Sequence, residues 1–175
     1  MADVRRPELA RDDLFGAKLA QHAARQPDAP AVSCGADTVG YAQLHRRSNR
    51  VARGLAARGV KAGDLVTVGL PNAIGFVEAC YGIWKLGATP QPVSFRRPKG
   101  ELQAIVELAK SPLVVALFEH DVDRPVMTVE QLLALSDDES DLPDARRSGT
   151  RGSARPSRPR SFIIIPRISL RPTVG

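Results

Sequence analysis

The sequence has no long apolar run and few cysteines. No segment approaches the roughly 20 consecutive apolar residues that a membrane-spanning helix needs, so we expect no transmembrane segment. The opening MADVRRPELARDD lacks the apolar stretch of a secretory signal, which predicts a cytoplasmic protein. The two cysteines, Cys34 and Cys80, have a spacing that fits neither a metal site nor a disulfide framework, so we expect reduced thiols.

Histidine is scarce as well. His22, His45 and His120 are scattered and have no Cys, Asp or Glu neighbours at ligand spacing, which predicts surface histidines and no metal site. The sequence contains no G-x-S-x-G motif, and no local Ser-His-Asp set can be assembled from it. These absences argue against a metalloenzyme and against a serine hydrolase.

The formal net charge of +6 is unevenly distributed along the chain. Residues 145–175 hold eight arginines and no acidic residue, whereas residues 1–144 hold 17 basic and 19 acidic residues. The body is therefore slightly acidic, and its charge gives no reason to expect a nucleic-acid partner. The tail arginines could contact phosphates, but no aromatic residues alternate with them for base stacking, so we predict no nucleic-acid binding.

Apolar runs alternate with amphipathic segments through the body. The pattern predicts helix 13–26, a hairpin of strands 31–34 and 38–41, helix 42–58, strand 64–70, helix 73–87, strand 88–94, helix 98–110, strand 111–118, strand 126–129 and helix 130–135. The longer strands are apolar throughout and alternate with helices. This arrangement predicts an α/β fold with a mostly parallel sheet, flanking helices and right-handed crossovers.

Two of the predicted helices differ in their apolar faces. One stripe of helix 42–58 suits a core, and it consists of Leu44, Ser48, Val51 and Leu55. The opposite side is interpreted as a solvated face rather than an anion patch, and it carries Arg46, Arg47, Arg50 and Arg53. Helix 73–87 is apolar on nearly every side, and we hypothesise that this chain lacks some of its neighbours. Its Tyr81 and Trp84 are expected in the core rather than at a ligand.

The composition changes sharply at the end of the body. We predict a partial domain over residues 1–144 and a disordered tail over residues 145–175, which is rich in Arg, Ser and Pro and has no periodic pattern. The apolar stretch at residues 162–166, FIIIP, is too short for a membrane span and would favour aggregation if exposed.

Three stretches of the body carry motifs in a fixed order. Within residues 39–64 the informative positions are Tyr41, Leu44, Asn49, Leu55, Gly59, Val60, Gly63 and Asp64. Within residues 66–102 they are Leu70, Pro71, Asn72, Phe76, Lys85, Gly87, Ala88, Pro92, Glu101 and Leu102. The third stretch, AIVELAKSPLVV, follows at residues 104–115. Together they resemble the N-terminal part of the adenylate-forming (AMP-binding) superfamily, in particular fatty-acyl-CoA ligases, over about residues 12–120. Gly40 stands where that family usually has a capping Thr or Ser.

The resemblance implies a function for a full-length member. Such an enzyme activates a carboxylic or fatty acid through an acyl-adenylate, using ATP, Mg²⁺ and CoA. In the family the catalytic groups lie in later segments, and the matched residues build a scaffold. We therefore assign no catalytic, cofactor-binding or metal-binding residue here, and we expect a truncated chain that is inactive by itself.

One short segment of the tail resembles the family's phosphate-binding loop. The residues from Ser148 to Arg155, SGTRGSAR, align with the pattern S-G-T-T-G-x-P-K at four positions. Arg151 is bulky where a small hydroxyl residue belongs, and Ala154 replaces proline. The segment is a working loop, a decayed loop or a coincidence, and we favour coincidence because such compositions match the pattern easily.

Three interpretations of the whole chain remain open. The first is an acyl-CoA ligase relative whose reading frame shifts near residue 145. The chain has 20 arginines against five lysines, which is typical of GC-rich coding sequence, and such sequence read out of frame tends to give runs of Arg, Ser, Pro and Gly like the tail. The second is a non-catalytic interaction fragment that folds by docking on a partner. The third is a nucleic-acid binder with a basic tail, which we consider the weakest.

Overall fold

The computed structural model describes residues 15–117 and 122–142. Five helices and six strands follow one another within these ranges: α1 Phe15–Arg25, β1 Pro30–Cys34, β2 Asp37–Gly40, α2 Tyr41–Ala57, β3 Leu65–Gly69, α3 Ile74–Lys85, β4 Thr89–Pro92, α4 Lys99–Ala109, β5 Val114–Ala116, β6 Val126–Met127 and α5 Val129–Ala134. Each predicted element is found within a few residues of its predicted bounds. The strand predicted at 111–118 is found at Val114–Ala116, and Ser111 ahead of it accepts a hydrogen bond from the Thr67 amide of β3 through its hydroxyl.

Four strands form a parallel sheet in the order β4-β3-β5-β6. Val68 of β3 lies opposite Pro92 on one side and Val115 on the other. The proline-containing strand β4 lies at an edge, where missing ladder donors cost least. Strands β1 and β2 form a separate antiparallel hairpin. The predicted α/β fold with a parallel sheet flanked by helices is confirmed.

The main core lies between the sheet and the three helices α2, α3 and α5. Its fully buried side chains include Val51, Leu55, Val68, Ile83 and Leu132. A smaller core lies between the sheet and α4, built from Leu102, Val106, Val114 and Ala116. The hairpin packs on α1 and α2 through a third cluster centred on Leu19, Val39 and Leu44. The apolar stripe predicted for α2 is buried at each of its four positions.

Helices α2 and α3 approach closely through a glycine. A Cβ atom at Gly82 would lie 2.6 Å from Cγ1 of Val51. On its other side, α2 meets α5, where a Cβ atom at Gly54 would lie 2.4 Å from the carbonyl oxygen of Leu132. Every residue of α3 is buried or half-buried within the described part of the chain. Its large apolar side chains Ile74, Phe76, Val77, Tyr81 and Trp84 are only half-buried, so the hypothesis that this helix lacks some of its neighbours stays a prediction.

Helix α2 begins without a side-chain cap. Gly40 occupies the N-cap position, and the first amides of the helix donate instead to backbone carbonyls of the loop between α1 and β1. The N–H of Tyr41 donates to Ala29, and the N–H of Ala42 donates to Pro27. A Cβ atom at Gly40 would lie 2.9 Å from the Pro27 carbonyl oxygen, so glycine permits this close approach. A search of the described residues for a helix both long and apolar enough to cross a membrane finds none.

Candidate functional site

An acidic segment covers one face of α2. We call residues 136–142, which follow α5 and form neither helix nor strand, the acidic strap. Arg50 donates to the carbonyl oxygens of Leu133 and Ser136, both at 2.8 Å, and pairs with the Asp137 carboxylate at 3.0 Å. The interpretation of this helix side as a solvated face is wrong, because the acidic strap lies against its arginines.

Arg53 and Arg46 extend this contact. Arg53 donates to the carbonyl oxygens of Asp138 and Ser140, both at 3.1 Å, and to the Ser140 hydroxyl at 2.7 Å. Arg46 pairs with Glu139 at 3.2 Å. Hydrogen bonds from the Ser140 hydroxyl and amide, with a contribution from Arg53, lower the pKa of Asp138 below its ordinary value. Guanidinium groups thus hold both the backbone and the carboxylates of the acidic strap.

The fourth arginine, Arg47, reaches α3 instead. Its Nε and Nη2 donate to the two carboxylate oxygens of Glu78, at 2.5 and 3.2 Å. The Glu78 side chain is 1% exposed, whereas that of Arg47 is 38% exposed. The hydrogen bond to Glu78 raises the pKa of Arg47 above its ordinary value. A bidentate pair of this kind gives both oxygens of a buried carboxylate a hydrogen-bond donor.

A second polar cluster joins α2, α3 and the acidic strap. Lys85 donates from Nζ to the Nδ1 atom of His45 at 2.9 Å, to the His45 carbonyl at 3.1 Å and to Oδ1 of Asn49 at 2.5 Å. The Nε2 atom of His45 lies 2.8 Å from the Asp141 carboxylate. Asn49 donates from Nδ2 to the carbonyl of Glu139 at 2.8 Å. This pattern requires a neutral imidazole that carries its proton on Nε2.

Burial controls the titration of this cluster. It lowers the pKa of Lys85 to about 8. It also lowers the pKa of His45, and the Lys85 charge acts in the same direction while Asp141 opposes it. The His45 side chain is only 15% exposed, so the prediction that this histidine lies on the surface is wrong.

The chemistry available to these clusters is limited. The three protons of the Lys85 ammonium face three acceptors, which leaves no donor for a ligand. A search of the described ranges finds no group of three or more His, Cys, Asp or Glu side chains that could hold a metal ion. In the acidic strap, the carboxylates of Asp137, Asp138 and Glu139 are paired with arginines and that of Asp141 with His45, rather than grouped for Mg²⁺. The clusters join α2, α3 and the acidic strap.

The aromatic residues, cysteines and other histidines singled out in the sequence lie at separate places in the fold. Trp84 is half-buried and stacks on Phe15 with ring centroids 4.5 Å apart, and Tyr81 meets its edge at 5.4 Å. The exposed His22 stacks on Tyr41. Both cysteines are free thiols, and burial raises the pKa of Cys80 to about 12. His120 and the segment from Ser148 to Arg155 lie outside the described residues, as does the predicted disordered tail.

The sequence contained a signal for the clusters that the predictions missed. Glu78 and Lys85 are the charged residues of a helix that is otherwise apolar on nearly every side. Charged groups in such a position need partners, because unpaired burial of charge is costly. The acidic run at 137–141 was likewise the complement of the arginines on α2, about ninety residues earlier.

Fold and clusters together define a class of protein. The chain is an α/β unit, with a parallel sheet between helices and with buried polar groups that link its elements. The sequence model of the AMP-binding enzyme family matches residues 19–161, and the chain belongs to this family. The resemblance to adenylate-forming enzymes is thereby confirmed, and the matched range extends over the segment from Ser148 to Arg155.

Three relatives illustrate the range of the family. Pyochelin synthase PchD of Pseudomonas aeruginosa is 32% identical over 124 residues, which are 71% of this chain and 23% of that protein. The fatty acid–acyl-carrier-protein ligase ScoC of Streptomyces coeruleorubidus is 36% identical over 61% of this chain and 20% of its own. A medium/long-chain-fatty-acid–CoA/3-oxocholest-4-en-26-oate–CoA ligase of Mycobacterium marinum is 41% identical over 52% of this chain and 17% of its own.

Solved structures agree with the fold. The O-succinylbenzoate coenzyme A synthetase MenE of Bacillus subtilis, in complex with AMP, matches with a TM-score of 0.61 and 26% identity, over 66% of this chain and 32% of that one. The chain spans about a fifth of the length of these three curated relatives, from 17% to 23%.

Proposed function

We propose that this chain is part of an enzyme that activates a carboxylic acid with ATP. The acid would attack the α-phosphate, which gives an acyl-adenylate and releases pyrophosphate. The observation that carries this proposal is the match of residues 19–161 to the AMP-binding enzyme family, together with the parallel-sheet fold. Mg²⁺ would accompany ATP, as it commonly does where phosphates are transferred.

We further propose that a fatty acid is the substrate and that CoA accepts the acyl group. The similarity to the M. marinum CoA ligase supports both choices. The similarity to ScoC supports the fatty acid but favours the thiol of a carrier protein as acceptor. An assay that offers both CoA and a carrier protein distinguishes these acceptors, because it measures how much acyl-CoA and how much acyl-carrier protein is formed.

The described residues have a supporting role in this proposal. Their buried charged groups meet partners within the unit, as Arg47 does with Glu78 and Lys85 does with His45 and Asn49. Groups committed in this way hold helices together and do not touch a reacting acid or ATP. We therefore propose that residues 15–142 form a scaffold, and that the groups acting on ATP lie elsewhere in the protein. A cytoplasmic location remains a prediction.

The direct test is ATP–pyrophosphate exchange by the 175-residue chain. A panel of short, medium and long fatty acids and aromatic acids is tested, with a full-length fatty-acid CoA ligase as the positive control. The chain is expected to give no exchange above the acid-free blank. Acid-dependent exchange by this chain would contradict the scaffold assignment.

A non-catalytic interaction module is the second candidate. Two large apolar side chains, Leu108 and Leu117, are 88% and 51% exposed, which is the observation that favours it. Light scattering over a range of concentrations tests it. A chain that stays monomeric and melts cooperatively would count against this candidate, and an assembly abolished by Leu108→Ser would support it.

A further inference from the structure

The acidic strap is attached to the rest of the unit in an unusual way. Its donors come from one face of α2, and the residues that supply them are His45, Arg46, Asn49, Arg50 and Arg53. Two amides of the acidic strap donate hydrogen bonds within the strap itself. The Asp138 amide donates to the Ser136 hydroxyl, and the Ser140 amide donates to the Asp138 carboxylate. The strap is thus held by side chains of α2 and not by a backbone ladder.

Apolar anchoring of the acidic strap is small. Leu142 is half-buried against the main core at the far end of the strap. The side chain of Asp137 is fully exposed and that of Asp141 is 74% exposed. The core beneath is closed independently by α5, whose Leu132 and Leu133 are buried. Lifting the strap would therefore expose little apolar surface.

Lys85 prepares the place where the far end of the strap binds. Its Nζ fixes Nδ1 of His45 and Oδ1 of Asn49, and these bonds leave His45 Nε2 and Asn49 Nδ2 directed at the strap. All three acceptors of Lys85 belong to α2, so its bonds persist when the strap leaves. The binding face on α2 therefore keeps its shape in the absence of the strap.

We propose that residues 136–142 form a detachable, salt-gated strap that opens from α2 as one unit while the α/β core stays folded. The physical reason is that the carboxylates of these ion pairs reach water, since Asp137, Asp138 and Glu139 are 100%, 57% and 42% exposed. Such pairs are weak and screened by salt, whereas the core depends on apolar burial. Opening uncovers a row of arginines, Arg46, Arg50 and Arg53, on an intact helix. Lys85 acts as a positioning residue for the closed state.

Limited proteolysis with an enzyme that cleaves after Asp and Glu tests the proposal. Cuts within the acidic strap are located by mass spectrometry at about 0.1 M and about 1 M NaCl, where the Debye length falls from about 10 Å to about 3 Å. We expect cleavage of the strap to accelerate roughly tenfold at high salt, given the weakness of exposed ion pairs. Far-UV circular dichroism of the uncut protein should not change.

Two variants and a matched control separate strap opening from the effect of salt on the protease. The double variant Arg50→Gln/Arg53→Gln should be cleaved rapidly at both salt concentrations, because it loses the bonds that hold the strap. Lys85→Met, which removes no direct bond to the strap, should show intermediate cleavage. Arg97→Gln is the control, since Arg97 pairs with Glu101 on α4 at 2.7 Å. It should behave as the wild type does.

Two outcomes would overturn the proposal. One is a cleavage rate of the wild-type strap that rises with salt no more than the cleavage rate of the double variant does. The other is loss of helical signal in step with strap cleavage, which would make the strap an integral part of the fold. Should the double variant fail to fold, the single variant Arg53→Gln takes its place in the comparison of the two salt concentrations, because within the described part of the chain Arg53 bonds only to residues of the strap.

Discussion

Single buried polar atoms differ in whether they have partners. Ser48 lies on the buried stripe of α2, and its hydroxyl has no hydrogen-bond partner among the described residues. We expect Ser48→Ala to raise the free energy of unfolding by about 1 kcal/mol, because it removes an unsatisfied buried hydroxyl. Urea denaturation measures this change.

Ser111 is the matched control for that prediction. Its hydroxyl accepts from the Thr67 amide at 2.9 Å and donates to the Leu113 carbonyl at 2.8 Å. Ser111→Ala should therefore destabilise the protein. A less stable Ser48→Ala variant would show that the Ser48 hydroxyl has a partner in solution.

Removing Arg47 and removing its partner Glu78 should lower the free energy of unfolding by different amounts. Removal of the arginine leaves a carboxylate in a fully buried position, whereas removal of the carboxylate leaves an arginine that reaches water. Arg47→Met should cost about 3 kcal/mol or more of unfolding free energy. Glu78→Gln should cost less, and equal costs in chemical denaturation would contradict this account of the pair.

Lys85 predicts a dependence of stability on pH. The folded protein releases the Lys85 proton near pH 8, and the unfolded chain releases it near pH 10.5. The unfolded state therefore binds more protons between these values, so the free energy of unfolding rises with pH for the wild type relative to Lys85→Met. Denaturation midpoints of both proteins from pH 7 to 10 measure the difference in stability between wild type and Lys85→Met. This difference would not change with pH over that range if Lys85 titrated normally.

At the scale of helices and strands, the periodic patterns predicted what is buried but not what binds to charged faces. The stripe of α2 and the apolar run of β3 follow from local sequence because burial has a helical or strand period. The docking of the acidic strap on Arg50 and Arg53 does not follow, since the partners are more than 80 residues apart. Position along the chain carries no signal for such a contact.

The close packing of α2 against α3 predicts that an added methyl group at their contact lowers the stability of the protein. Gly82→Ala places a methyl group 2.6 Å from Val51 Cγ1. The helix should gain intrinsic propensity, but forced separation of α2 and α3 should dominate and cost about 1–3 kcal/mol. Gly100→Ala in α4, where an added Cβ meets nothing within 4 Å, is the control and should be neutral or stabilising. Equal melting temperatures for the two variants would contradict the packing seen at Gly82.

At the scale of the whole molecule, the sequence predicted the family and the sheet but left the site unresolved. Motif order across residues 39–115 identified the adenylate-forming family, because turns, helix stops and buried strands recur at set spacings. The polar clusters were missed because Lys85, His45 and Asp141 meet only in the folded chain. The role of the segment from Ser148 to Arg155 stays a prediction.

The central claim is that residues 15–142 form the scaffold of an acid-activating enzyme. Its most direct test is a graft, in which these residues replace the matching segment of the M. marinum ligase and fatty-acid-dependent pyrophosphate exchange is measured. The same graft carrying Arg47→Met is the control for packing. We predict that the graft folds and retains exchange activity, and that the control loses both in parallel. A folded graft without exchange would contradict the claim, because the segment would then fail to support the chemistry of its own family.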